Sequence, residues 1–246
     1  MVEYINLRLN IDISMFQFFK ELFTDNRIPS ISFLEFYKKV NRLKEDGLFP
    51  FEYNLPQAIS LPESFWKEVV SIHKMTLGDG LEREISIFMV DGELIFTSVM
   101  KGQESSVTSN HNISVKYVQH PTRKGYFRKE VYMDGSIYKR KDVYYKDAPR
   151  KVSIQYIFNL HTHPKHVFEN GESVFSFVSK QDMISQFQSK AIVSGLVTDK
   201  LWLFVRTNSS PETINMEESN ISVETLKTEM KMVIYCAELF KKAIKQ

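Results

Sequence analysis

The stretch that decides the reading is Val152-Ser153-Ile154-Gln155-Tyr156-Ile157-Phe158-Asn159-Leu160-His161-Thr162-His163-Pro164, followed by Ser179-Lys180-Gln181-Asp182. Val152 to Leu160 is an apolar run that delivers two histidines one residue apart. On a strand, residues i and i+2 point to the same face. His161 and His163 can therefore reach one metal ion. Pro164 has no backbone donor and ends the strand. A helical pattern runs from Ser179 to Lys190, with Asp182 in its first turn. Two imidazoles and a carboxylate form a three-ligand set with room for water, which is what catalytic zinc requires.

The bulk composition fits such a site on an ordinary globular chain. The 246 residues can bury a full core, as one main domain plus an extension. A net charge of +2 is too small to imply a nucleic-acid partner by itself. The single cysteine, Cys236, excludes an internal disulfide and a cysteine-based zinc site. It falls in an expected helix, as inert core packing. Met1 to Asn10 lacks the charged-then-apolar pattern of a signal peptide. No run of apolar residues is long enough to span a membrane. These features lead us to expect a cytoplasmic protein.

Upstream, apolar residues at helical spacing predict a helix over Ile11 to Phe23 and a second carrying Phe33, Phe36, Tyr37, Val40 and Leu43. Ser30 or Ser32 can cap the second helix and Gly47 can stop it. Leu48 to Leu61 holds Pro50 and Pro56 and reads as a linker. Residues 1–60 are thus expected as an N-terminal helical extension and linker, and 61–246 as the main domain. Pro62 opens a third helix, Glu63 to about Leu77, in which His73 reads as structural.

Strands are then expected at Ile85 to Val90 and Glu93 to Met100 around the hairpin turn Asp91-Gly92. Further strands are expected at Ile113 to Val118, Tyr126 to Met133 and Ile137 to Tyr145, the last two joined at Asp134-Gly135. Arg123 to Lys151 carries ten Lys or Arg against four Asp or Glu, interleaved with tyrosines. Such a pattern can bind phosphate backbones and bases. It equally makes a solvated two-stranded flap with charged edges, and we read it as that. After the loop Lys165 to Val178 and the helix, strands follow at Ala191 to Val197 and Leu201 to Val205. Ser222 to Lys245 is expected as a long helix with Leu226, Met230, Val233, Ala237, Phe240 and Ile244 on one stripe.

A hydrolytic zinc site needs a base to hold the water whose pKa the metal lowers. Glu84, at the start of the first core strand, is our choice, with Glu82 as the alternative on the same face. Ser179 lies one helical turn before Asp182, where its hydroxyl can donate to a developing oxyanion. It also fits a helix N-cap. His166 is a conceivable fourth ligand, though loop histidines more often face solvent. His111 and His120 are assigned no role.

His161-Thr162-His163-Pro164 and Ser179-Lys180-Gln181-Asp182, with Glu84-Ile85-Ser86-Ile87-Phe88 upstream, resemble the motif of the JAMM (MPN+, JAB) zinc metalloproteases. The resemblance covers about Glu82 to Arg206. It implies an α/β (α+β) fold: a cytidine-deaminase-like core with a curved mixed sheet and flanking helices. It also implies one zinc ion on His161, His163 and Asp182, with Glu84 and Ser179 catalytic. The implied activity is hydrolysis of peptide or isopeptide bonds, often those to a ubiquitin-like tag. Two features depart from the family pattern. Fourteen residues, Lys165 to Val178, separate Pro164 from Ser179, and the basic hairpin stands before the histidine strand. A RadC-like nucleic-acid-associated module and a metal-free MPN-type scaffold are the competing readings.

Overall fold

Hairpin turns and helix caps set several of the element boundaries. The computed structural model describes residues 29–104, 112–148, 151–189, 191–239 and 243–245. The expected helix over Ile11 to Phe23, and His111, lie outside the described residues. In chain order the elements are β1 (Ser30–Ser32), α1 (Phe33–Glu45), β2 (Ala58–Ser60), α2 (Glu63–Asp79), β3 (Arg83–Val90), β4 (Glu93–Phe96) and β5 (Met100–Lys101). Next come β6 (Ile113–Gln119), β7 (Tyr126–Met133), β8 (Ser136–Lys146), β9 (Ile154–Thr162), β10 (Lys165–Val167), β11 (Ser173–Phe175) and α3 (Lys180–Gln188). β12 (Val193–Val197), β13 (Leu201–Val205), α4 (Val223–Thr228), β14 (Val233–Ala237) and β15 (Ala243–Lys245) complete the chain. Both expected turns form with positive φ at each central residue: Asp91 and Gly92, then Asp134 and Gly135. That is the twist a two-residue hairpin needs.

The fold is mixed α+β. The main sheet runs β1-β2-β15-β14-β13-β12-β9-β3-β4, with β5 paired to the start of β3. It is a mixed sheet: β9 and β12 are parallel, while β3 and β9 are antiparallel. On one face, Ile85 and Ile87 of β3 and Phe158 and Leu160 of β9 join a core with Phe33 and Phe36 of α1 and Phe65, Val69 and Ile72 of α2. The expected aromatic face of α1 is thus core, and the Ser32 hydroxyl accepts from Glu35 N–H at the start of that helix. On the other face, Met183 and Phe187 of α3 pack with Leu196, Phe204, Ile234 and Leu226. Also on that face, β6-β7-β8 form a separate sheet whose Val131 packs on Val90 and Ile95. With α3 over β12 and β13, and the small sheet over β3 and β4, the middle of the face at β9 is left open. Among the described residues no helix is long and apolar enough to cross a membrane.

Four expectations are corrected. The long C-terminal helix is instead α4, β14 and β15. Lys231 takes φ 51, and Met232 to Ala237 is buried at every position but half-buried Cys236. A run buried on both faces carries no period that separates helix from strand. Its β-branched Val233 and Ile234 pair as a strand with β13. Cys236 therefore sits on a strand, where burial pushes its thiol up to about 11. Second, Leu48 to Leu61 contains β2, which pairs with β1 and β15. Third, the basic flap has three strands rather than two. Four of its cations pair with acidic groups: Arg128 and Arg140 on Glu130, Lys129 on Asp91, and Lys139 on Glu93. Fourth, the expected strand Glu93 to Met100 breaks after Phe96. Thr97 Oγ1 there accepts from Ser86 N–H at 2.8 Å.

Candidate metal centre

Period-two alternation builds the site from β9. Phe158 and Leu160 point into the α1–α2 core. Thr162 is buried on the same side, hydrogen-bonded to Thr76 of α2, and accepts from Arg83 N–H at 2.9 Å. Asn159, His161 and His163 therefore face the other way, toward α3. His163 N–H donates to Val197 O at 3.1 Å, which extends the β9–β12 pairing one residue past the strand. Pro164 follows and ends it.

The third candidate ligand is placed by a helix cap. Ser179 is the N-cap of α3 and Asp182 its third residue, in a reciprocal capping box. Asp182 N–H donates to Ser179 Oγ at 3.1 Å. Ser179 N–H and Oγ–H donate back to Asp182 Oδ2 at 2.8 and 2.7 Å. This locks the carboxylate between the imidazoles. His161 Nε2 lies 3.4 Å from Oδ1, and His163 Nε2 lies 3.4 Å from Oδ2.

These separations are long for hydrogen bonds. They run to the two different oxygens of the Asp182 carboxylate, which lies between the two rings. The three ligand atoms all fall within 4.8 Å of one another. His161 Nε2 is buried and has no hydrogen-bond partner among the described residues. His163 Nδ1 faces the Ser176 carbonyl at 3.2 Å. A carbonyl only accepts, so Nδ1 carries the proton, and in the neutral ring Nε2 presents a lone pair to the site. The residues thus fit a divalent transition metal.

Two carboxylates stand beside this group, Glu84 on β3 and Glu82 one residue before that strand. Glu84 is directly opposite His161 in the antiparallel pair, and the same register sets Glu82 opposite His163. Both are buried. Glu82 Oε1 comes within 3.7 Å of His163 Nε2. Burial raises the Glu82 carboxyl above its usual range, an effect that His163 and His161 partly offset. For Asp182 burial works the same way but is outweighed by His161 and His163, so its carboxyl is held well below the ordinary value. Burial would lower His161, yet Asp182 and then Glu82 and Glu84 raise it.

The site opens into a cleft of about 330 Å³ lined by Glu82, Glu84, Asn159, His161, Ser179 and Asp182 among others. At about 30 Å³ per water, that is room for a substrate segment as well as an ion. His166 is exposed on β10, opposite Val174, and does not line the cleft. His73 is buried on α2 against the Phe175 ring. His120 Nδ1 accepts from Thr122 and Arg123 N–H and braces its own loop. The Val167–Phe175 loop folds as the β10–β11 hairpin. Ser176, Asn159 and Tyr156 were not singled out from the sequence. A main-chain carbonyl leaves no side-chain signal, and Asn159 and Tyr156 read there only as strand residues.

No family model, curated protein or solved structure matches this chain.

Proposed function

We propose that this chain is a zinc-dependent hydrolase of peptide or isopeptide bonds, of JAMM type. One observation carries the reading. His161 at the end of β9, His163 just past it and Asp182 from the α3 capping box come together beside an open cleft that His161 and Asp182 line, and two buried carboxylates, Glu84 on β3 and Glu82 just before it, accompany them. A zinc ion held by the three ligands would supply a Lewis acid and a water of lowered pKa. One of these two carboxylates takes the proton from the attacking water and passes it to the leaving amine. Glu84 is the choice from the sequence motif. Glu82, whose Oε1 lies 3.7 Å from His163 Nε2, is the alternative. Ser179 orients Asp182, and its hydroxyl lies where it can turn toward an oxyanion. Substrates are peptides or proteins, including those joined to a ubiquitin-like tag.

The nucleic-acid reading draws on the basic β6-β7-β8 sheet, but Arg128, Lys129, Lys139 and Arg140 are already paired with acidic partners. The scaffold reading would make the His161 Nε2–Asp182 approach an ion pair alone, and leaves two further carboxylates buried beside it.

The test is metal analysis of protein purified without chelator, together with cleavage of an internally quenched peptide library and of isopeptide-linked ubiquitin-like conjugates. One zinc per chain is expected, with activity that a chelator abolishes and zinc restores. A His161→Ala, His163→Ala double variant that still binds one zinc would overturn the site.

A further inference from the structure

Asn159 precedes His161 by two residues on β9, so both side chains share a face. It is paired across the sheet with Ser86. Its Oδ1 accepts from the Tyr156 hydroxyl at 2.6 Å and from the Ser86 hydroxyl at 2.9 Å. Two donors occupy both lone pairs of that oxygen and hold the amide plane in one orientation. The other end of the amide, Nδ2, carries two N–H donors that meet no acceptor among the described residues. The side chain is half-buried and lines the cleft.

The clamp itself is rigid. Ser86 is nearly fully buried, and its own N–H is bound by Thr97 Oγ1. Burial and then the Glu84 charge push the Tyr156 phenol well above its ordinary range, so it stays protonated and donating. A donor pair held this way makes little entropic demand when it meets an acceptor.

The rest of the cleft narrows the kind of acceptor. Away from Asp182 it is lined by Tyr156, Ser185, Ser189, Val193 and Ser194, all uncharged. No lysine or arginine lines it among the described residues, and its carboxylates lie at the metal end. A phosphodiester or an acidic peptide would find no lysine or arginine here to pair with. An extended, uncharged peptide segment matches a small-residue wall carrying one fixed amide donor.

We propose that Asn159 forms a substrate subsite, its side-chain amide donating to a main-chain carbonyl of an uncharged peptide. From Asn159 to His161 is two residues of strand, about 6.6 Å. The anchored carbonyl therefore lies about two residues from the bond cleaved at the metal. This deepens the hydrolase reading and rests on it.

The test uses the full chain loaded with zinc and the best-cleaved uncharged peptide of an internally quenched library. Asn159→Asp keeps the acceptor for Tyr156 and Ser86 but removes the donor. KM is expected to rise about 3- to 10-fold, the scale of one neutral hydrogen bond, with kcat, melting temperature and zinc content close to those of the parent. Asn159→Ala should raise KM likewise, and Tyr156→Phe, which frees one side of the clamp, should raise it less. Unchanged KM in both Asn159 variants overturns the proposal and leaves Asn159 as a bridge to Ser86. Binding gives a second readout: fluorescence anisotropy of the same peptide, fluorescein-labelled, on metal-free protein. Weaker binding by Asn159→Asp supports the subsite. Equal binding, no binding by the parent, or equally tight binding of an acidic analogue overturns it. If the zinc-loaded chain cleaves no library member, the hydrolase reading fails on its own, and anisotropy with the labelled peptide pool still decides the subsite.

Discussion

The ring of His163 is tied to the main chain of Ser176: Nδ1–H donates to that carbonyl at 3.2 Å. Ser176 immediately follows β11, so the β10–β11 hairpin orients a candidate metal ligand. The extra length between the two halves of the motif is thereby connected to the metal site itself.

Replacing Lys165–Phe175 by a short glycine linker should therefore weaken zinc binding. Loss of a partner that orients a ligand costs about 10- to 100-fold in affinity. Competition with a chromogenic chelator reads this. Unchanged affinity would mean that the hairpin plays no part in orienting His163.

Glu82→Gln and Glu84→Gln separate the two carboxylates. Removing a general base lowers kcat by about 10²- to 10⁴-fold, with zinc still bound. If Glu84, opposite His161, is the base that the motif suggests, the larger loss falls in Glu84→Gln. Rate measurements at equal zinc occupancy decide between them, and the reverse order would move the role to Glu82.

Ser179→Ala removes one side of the α3 capping box. A destabilisation of about 1 kcal/mol is expected from the lost cap, together with weaker zinc binding as Asp182 loses its hydroxyl donor. Chemical denaturation and metal titration measure these. A kcat loss of about 100-fold at unchanged zinc affinity would instead make Ser179 the oxyanion donor.

Asp79 predicts a component of acid sensitivity. Hydrogen bonds from Arg83, then Lys101, hold its carboxyl at about 2, below the usual 3.8. A lowered folded-state value contributes stability above the unfolded pKa and loses it as pH falls through the folded one. Between pH of about 4 and 2, stability should fall, and Asp79→Asn should flatten that part of the curve. Denaturant midpoints across this range check it; equal slopes would remove Asp79 from the account.

Gly195→Ala probes the packing behind the histidine strand. A Cβ there would lie 2.6 Å from Leu160 Cδ1 and 3.0 Å from Phe158 Cε2, in a fully buried core. Overpacking of this kind costs about 1–3 kcal/mol. Because Leu160 adjoins His161, zinc affinity should fall as well. Thermal unfolding with and without zinc measures both.

The sequence by itself determined what depends on near neighbours. His-x-His on a strand, the Ser179–Asp182 cap, and the Asp91-Gly92 and Asp134-Gly135 turns follow from local φ/ψ preferences and contacts a few residues apart. Only the tertiary structure decided the rest. The β3–β9 register set Glu84 opposite His161 across 77 residues of chain, and Glu82 opposite His163. β13 drew Val233–Ala237 into a strand where the apolar pattern was ambiguous. The Ser176 carbonyl and the clamp on Asn159 rest on backbone and cross-strand geometry, which side-chain identities alone do not carry. Pairing between distant strands is chosen by burial over the whole sheet, so no single stretch of chain contains it.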